Sequence, residues 1–198
     1  MTDTFDTLAD DRLVELCREG NAPAFRRLYH RHVDRVFTLV GRILGPMRSD
    51  HEDAVQDVFL EVHRSLGRYR GDSAFGTWLY RIAVNTTYSR LRRGPGPRET
   101  LADPSVDVPD PAPSGEARTD ARAWVRRLYA LLEDTSPKNR IVFTLYELEG
   151  LTLEQIATLL EIPLHTAAAR LRRTRDALLD ALRRSAHAGT RAIPGGDR

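Results

Sequence analysis

The chain has 198 residues, 41% of them hydrophobic and 29% charged, with a net charge of +2. That length holds one ordinary domain or two small ones, and the apolar share is enough to bury their cores. No run approaches the roughly 20 apolar residues of a membrane span, and the acidic opening MTDTFDTLADD lacks the basic and apolar regions of a signal peptide. No membrane insertion is expected, and the cytoplasm is the expected compartment.

Asp10 or Asp11 is placed to cap a short helix carrying Leu13, Val14, Leu16 and Cys17, which Gly20 ends. Cys17 is the single cysteine, so no intramolecular disulfide or multi-cysteine zinc site is possible, and its neighbours mark it as a small buried hydrophobe. Asn21 caps a longer helix with Pro23 in its first turn. There Phe25, Leu28, Tyr29, Val33, Val36, Leu39, Val40 and Ile43 keep a helical stripe up to the break at Gly45-Pro46. Ser49 with Glu52 three residues on reads as a capping box for a third helix. Its Val55, Val58, Phe59, Val62 and Leu66 share one stripe and leave Asp53, Asp57 and Glu61 on a solvent face open to a partner.

The segment from Gly67 to Ser73 has the glycines to stop that helix, and Asp72 or Ser73 to cap the next. The fourth helix carries Phe75, Trp78, Tyr80 and Tyr88 interleaved with Arg81, Asn85, Arg90, Arg92 and Arg93. Aromatic side chains stack unpaired bases, guanidinium groups hold phosphates and an amide reads a base edge. A plain core helix with a solvated basic end fits the same pattern equally well.

From Gly94 to Arg118 the apolar period disappears, and the stretch holds six of the eleven prolines. It is expected to be an extended linker. A second helical unit follows. Trp124, Leu128, Leu131 and Leu132 set its first helix; Ser136 and Pro137 start the next, with Ile141, Val142, Leu145 and Tyr146 buried and Gly150 closing it. Thr152 with Gln155 is another capping box, opening a short helix with Ile156, Ala157, Leu159 and Leu160 inward. After the tight turn Glu161-Ile162-Pro163 a long helix begins at Leu164, which completes a helix-turn-helix outline.

In that last helix Ala167, Leu171, Thr174, Leu178 and Leu182 anchor one face. His165, Arg172, Arg173 and Arg175 are then free to project toward a major groove. Of the thirty basic residues in the chain only Lys138 is not arginine, and arginine suits bidentate phosphate and base contacts. Residues 185–198 are polar, with Gly-Gly and Pro, and are expected to be disordered. No catalytic constellation is present: His30 and His32 are two apart, His51-Glu52-Asp53 does not continue into HExxH, and GxSxG and glycine-rich phosphate loops are absent.

The run YRGDSAFGTWLYRIAVNT closely resembles the promoter-melting segment of sigma-70 family factors of the extracytoplasmic-function group. DAVQDVFLEVHRSL resembles the preceding helix, which in that family binds the polymerase clamp, and LEGLTLEQIATLLEIPLHTAAARLRRTRDALL resembles the family's promoter-recognition domain. The resemblance implies an all-α fold. Two small helical domains, residues 1–93 and 119–184, would be joined by a flexible linker at 94–118, with the helix-turn-helix in the second.

It further implies a transcription initiation factor, not an enzyme, with no cofactor and no metal. Core RNA polymerase, met at its clamp and flap regions, and promoter DNA would be the partners, and the free chain would be monomeric. An inhibitory anti-sigma protein is a family expectation that no residue here identifies.

Residue by residue, the resemblance places Asp53, Gln56, Asp57, Leu60 and Glu61 on polymerase. Tyr69, Ser73, Trp78, Arg81, Ile82, Asn85, Arg92 and Arg93 fall to the single strand of the melted −10 element, with Tyr69, Ile82 and Asn85 around an extruded base. Thr152, Leu164, His165, Thr166, Arg170, Arg172, Arg173 and Arg175 fall to the −35 duplex. Departures are visible. Glu161 stands where the family has glycine or a small polar residue, and Ala168 and Ala169 stand where it has a basic residue and serine, which shifts base reading to His165, Arg172 and Arg173. The rival reading is a helix-turn-helix regulator that binds duplex DNA without polymerase.

Overall fold

A computed structural model describes residues 5, 7–46, 48–94 and 115–190. Most of the expected linker and residues 191–198 lie outside the described residues. Every regular element among the described residues is helical, and the chain divides into two compact units, Met1–Pro109 and Asp110–Arg198.

The first unit contains α1 (Asp10–Arg18), α2 (Ala22–Leu44), α3 (His51–Ser65) and α4 (Phe75–Arg93). Helix α2 packs against the other three, and α3 also packs on α4. Its start is the one foreseen: the Asn21 side chain accepts a hydrogen bond from the Ala24 amide at 3.0 Å, with Pro23 in the first turn. The core is built from Leu13, Leu28, Val40, Ile43, Val58 and Val62, all essentially inaccessible, each stabilising the unit by about 1.5–3 kcal/mol. Cys17 is only half-buried rather than a core residue, and burial raises its thiol pKa.

Three expected caps are not made. Helix α1 follows Ala9, because Asp10 is taken by Arg31 at 2.6 Å and His32 at 2.9 Å. Helix α3 starts after Asp50, not through a Ser49–Glu52 box. The Asp50 carboxylate is held by Arg48 and Arg90 and makes no capping bond. Helix α4 starts after Ala74, with Asp72 and Ser73 left in the turn. That turn consists of one 3-10 turn, Leu66–Arg68, and a bend in which Gly71 adopts φ 80°, the left-handed region that favours glycine.

The second unit contains α5 (Gly115–Glu133), α6 (Pro137–Phe143), α7 (Leu153–Leu159) and α8 (Leu164–Thr190), with α8 packed on the other three. Helix α5 begins inside the stretch expected to be linker, and α8 continues through residues 185–190, which were expected to be disordered. Trp124 is 61% exposed and stacks under the Arg127 guanidinium, so α5 is anchored by Tyr129 and Leu132 instead.

Helix α6 widens at Thr144–Leu148 into a π turn, where the Glu149 amide donates to the Thr144 carbonyl at 3.2 Å and Leu151 reaches back to Leu145 at 3.0 Å. Gly150, at φ 70°, ends it. The capping box of α7 is complete: the Gln155 amide donates to the Thr152 hydroxyl at 3.3 Å and the Thr152 amide donates to the Gln155 side chain at 2.9 Å. Ala167, Leu171, Thr174 and Leu178 are buried along α8, the anchoring stripe read from the spacing.

Candidate nucleic-acid interface

On α4, Trp78, Ile82, Asn85 and Arg92 recur at i, i+4, i+7 and i+14. They therefore share one stripe about 21 Å long. Asn85, Arg92 and the neighbouring Arg81 are exposed, and Trp78 and Ile82 are half-buried. Helix packing holds the apolar bodies of this stripe while leaving the amide and guanidinium groups in solvent. Arg92 lies over the Tyr88 ring, 5.9 Å from its centroid, and exposed Arg93 donates to the Ser89 carbonyl at 3.4 Å. A strip of partly covered apolar surface edged by an amide and cations can receive unstacked bases and their phosphates.

Tyr69 is placed differently from an open pocket wall. Its side chain is only 5% exposed, with Phe75 and Trp78 against its ring at 5.8 and 5.2 Å. Its hydroxyl lies 2.9 Å from an Asp11 carboxylate oxygen and 2.8 Å from the Ser73 carbonyl. Burial first, and then the bond to Asp11, pushes its pKa up to about 12, so it is a neutral donor near neutral pH. Of the three residues placed around a base, Ile82 and Asn85 lie on one face of α4 and Tyr69 lies beneath the turn. Ser73 is exposed at that turn.

The α3 face expected to meet polymerase is partly taken as well. Asp53, Gln56, Asp57, Leu60 and Glu61 share one side of the helix. Asp53 and Gln56 are exposed, Leu60 is 46% exposed, and Glu61 and Asp57 are half-buried. Arg90 reaches across from α4 to Asp57, lies 3.5 Å from Asp53 and donates to Asp50 at 2.7 Å. The face read from spacing as fully solvated is therefore neutralised at one end, and Leu60 stands open at the other.

In the second unit His165, Arg172 and Arg173 are exposed on one side of α8, with Ala168 between them and Leu164 exposed at the helix start. Thr166 and Arg170 are half-buried, and the Arg170 carbonyl accepts from the Thr174 hydroxyl at 3.1 Å. Two expected contacts are committed elsewhere. The Thr152 hydroxyl caps α7, and Arg175 is drawn onto the π turn, donating to Glu147 at 2.6 and 2.8 Å and lying over the Tyr146 ring. Glu161 adopts φ 53° in the tight turn. That is why glycine suits this position.

Arg18 and Glu147 were not singled out from the sequence, and Asp11 and Arg90 were read there only as a helix cap and as one of the α4 arginines. Each acts across a contact that no periodic pattern announces; only the glycine usual at position 161 carried a readable conformational signal. Among the described residues no group of three His, Cys, Asp or Glu side chains is placed to hold a metal ion. His51 is buried against Gly45 and Phe37, and burial lowers its pKa.

Family models match both units: Sigma-70 region 2 over residues 28–94 and Sigma-70, region 4 over residues 126–178. The chain belongs to the sigma-70 family. This sigma factor is 34% identical over 182 residues to the RNA polymerase sigma-H factor of Pseudomonas aeruginosa, covering 87% of this chain and 93% of that one. It is equally similar to the ECF RNA polymerase sigma-E factor of Escherichia coli K12, at 34% over 182 residues, covering 87% and 94%.

Among solved structures its fold is similar to CnrH in complex with the cytosolic domain of CnrY (TM-score 0.57, 24% identity, 88% of this chain and 97% of that chain). It is also similar to the sigma factor RpoE in complex with the anti-sigma factor NepR from Bartonella quintana (TM-score 0.56, 19% identity, 80% and 96%). This is a sigma factor of the extracytoplasmic-function type, a non-enzymatic initiation factor that directs RNA polymerase to promoters. Core polymerase and promoter DNA are its partners. The region 2 match runs from within α2 to the end of α4, which disfavours a regulator that never meets polymerase.

Proposed function

We propose a division of labour between the two units. The first docks on core polymerase through α3, with Leu60 and the carboxylates around it, and takes the melted −10 strand along Ser73, Trp78, Arg81, Ile82, Asn85, Arg92 and Arg93. The second lays the start of α8 in the major groove of the −35 duplex, with His165, Arg172 and Arg173 reading base edges and Leu164, Thr166 and Arg170 settling it on the backbone, while Thr152 holds α7 in place. Arg175 holds the reading helix against Glu147 and contributes a cation near the phosphates. Tyr69 supports the −10 turn from below.

The observation that carries this reading is the exposed α4 stripe of Asn85 and Arg92 beside half-buried Trp78 and Ile82, a surface suited to single strands. No described helix is long and apolar enough to cross a membrane, which agrees with action beside a cytoplasmic polymerase. Regulation by an anti-sigma protein belongs to the same reading, since one structure of similar fold is a sigma factor in complex with an anti-sigma factor.

In vitro transcription tests it. With core polymerase, Asn85→Ala should lose initiation from closed duplex but keep much of it on a template already opened at −10. Equal loss on both templates would remove Asn85 from base capture.

A further inference from the structure

Helix α1 lies outside the residues matched to region 2, which begin at 28, yet it makes the long-range contacts that fix the turn before α4. Arg18, in its last turn, donates from Nη2 to the Tyr69 carbonyl, and from Nε and Nη2 to the Leu66 carbonyl at 3.4 Å. These two carbonyls flank the 3-10 turn. Two turns earlier along α1, Asp11 accepts from the Tyr69 hydroxyl, which also lies against the Ser73 carbonyl. The start of α1 is tied down in turn, through Asp10 to Arg31 and His32 of α2, and the His32 ring packs on Phe75 at 5.4 Å. Tyr69 is thus gripped at its carbonyl and at its hydroxyl, with Phe75 and Trp78 against the ring between.

We infer that Arg18 and Asp11 are positioning residues for strand capture: α1 braces the Leu66–Ser73 turn so that Ser73 and the start of α4 are held ready for the melted strand. A free turn of this composition, with Gly67 and Gly71 in eight residues, would sample many conformations and lose that entropy on binding. Bracing it beforehand removes that loss from the capture step. Neither side chain needs to touch DNA. The inference rests on the proposed −10 role of α4.

The test uses the full chain bound to core polymerase and a fluorescent single-stranded −10 oligonucleotide, with core affinity and thermal unfolding measured in parallel. Arg18→Ala and Asp11→Ala should each weaken oligonucleotide binding roughly tenfold, the worth of a charge-assisted hydrogen bond, while core affinity stays within twofold. Asp11→Asn keeps an acceptor for the Tyr69 hydroxyl and should restore most of the binding. Asn85→Ala is the internal control. If it weakens binding and both α1 variants do not, the brace is wrong while the −10 reading stands. If it has no effect either, the −10 reading itself fails. Tighter oligonucleotide binding by Asp11→Ala would mean that α1 locks the turn shut, and would overturn the proposal. So would a loss that Asp11→Asn does not repair. Should Arg18→Ala fail to fold, Arg18→Lys, which keeps the charge but not the fork that spans two carbonyls, is expected to show a smaller loss of the same kind.

Discussion

Replacing Arg90 with methionine keeps the apolar stem of the side chain and removes the guanidinium that joins α4 to α3. The bond to Asp50 is the substantial one, made between side chains only 21% and 19% exposed. A hydrogen bond to a charged group in such a setting contributes about 1.5–3 kcal/mol. Asp57 and Asp53 are more open, and their pairs add under about 1 kcal/mol. Asp50 keeps Arg48 at 2.6 Å after the substitution, so the carboxylate is not stranded, and the expected loss is about 2 kcal/mol.

The loss should depend on pH with a definite sign. Arg48 first, and then Arg90, hold the Asp50 carboxyl well below the usual carboxylate range against the opposing effect of burial. A depressed folded pKa contributes stability that is present above the unfolded value, about 4, and is lost as pH falls through the folded one. Because Arg48 still depresses Asp50 in the variant, the gap between wild type and variant should be full at pH 7, hold through pH 5, and close only well below the usual carboxylate range. Urea unfolding in a Trp124→Phe background reads it, because Trp78 then reports the first unit alone. A gap under about 0.5 kcal/mol at pH 7, or one that already closes between pH 7 and pH 5, would refute the role assigned to Arg90.

The second unit offers three further tests. Arg172→Ala or Arg173→Ala should cost about 1–3 kcal/mol at particular −35 bases, whereas uniform weakening across sequences would mark them as phosphate contacts; a promoter-variant binding series distinguishes the two. Arg175→Ala should alter base preference little and instead loosen α8 from the π turn, visible as faster amide exchange near Glu147. Thr152→Ala removes the box on α7 and should lower stability by about 1 kcal/mol with −35 specificity intact, as measured by urea unfolding and the same binding series.

Local chemistry was legible in the sequence where one short-range rule governs. Asn21 and Thr152 cap as their neighbours require, and the α8 stripe from Ala167 to Leu178 is buried as its spacing demands. The same rules misplaced the starts of α1, α3 and α4. Asp10 and Asp50 have stronger partners than an amide, namely guanidinium groups on α2 and α4, and such partners lie dozens of residues away. Trp124 misled for a related reason: hydrophobicity marks it for a core, but the buried side of α5 passes through Tyr129 and Leu132. On the candidate surface, the exposure of Asn85 and Arg172 was readable because they sit on regular helices. The setting of Tyr69 was not, because it depends on a helix more than fifty residues earlier.

The widened turn at Thr144–Leu148 is in effect one extra residue carried inside a helix. Since an α-helix rotates about 100° per residue, deleting a residue there would re-phase the chain that follows. Glu147 would swing away from Arg175, and Gly150 would leave the one position where its left-handed backbone is required. Point substitutions in this segment preserve that phase, and a single deletion does not. How α8 is aimed thus depends on a count of residues between α6 and α7 as much as on their chemistry.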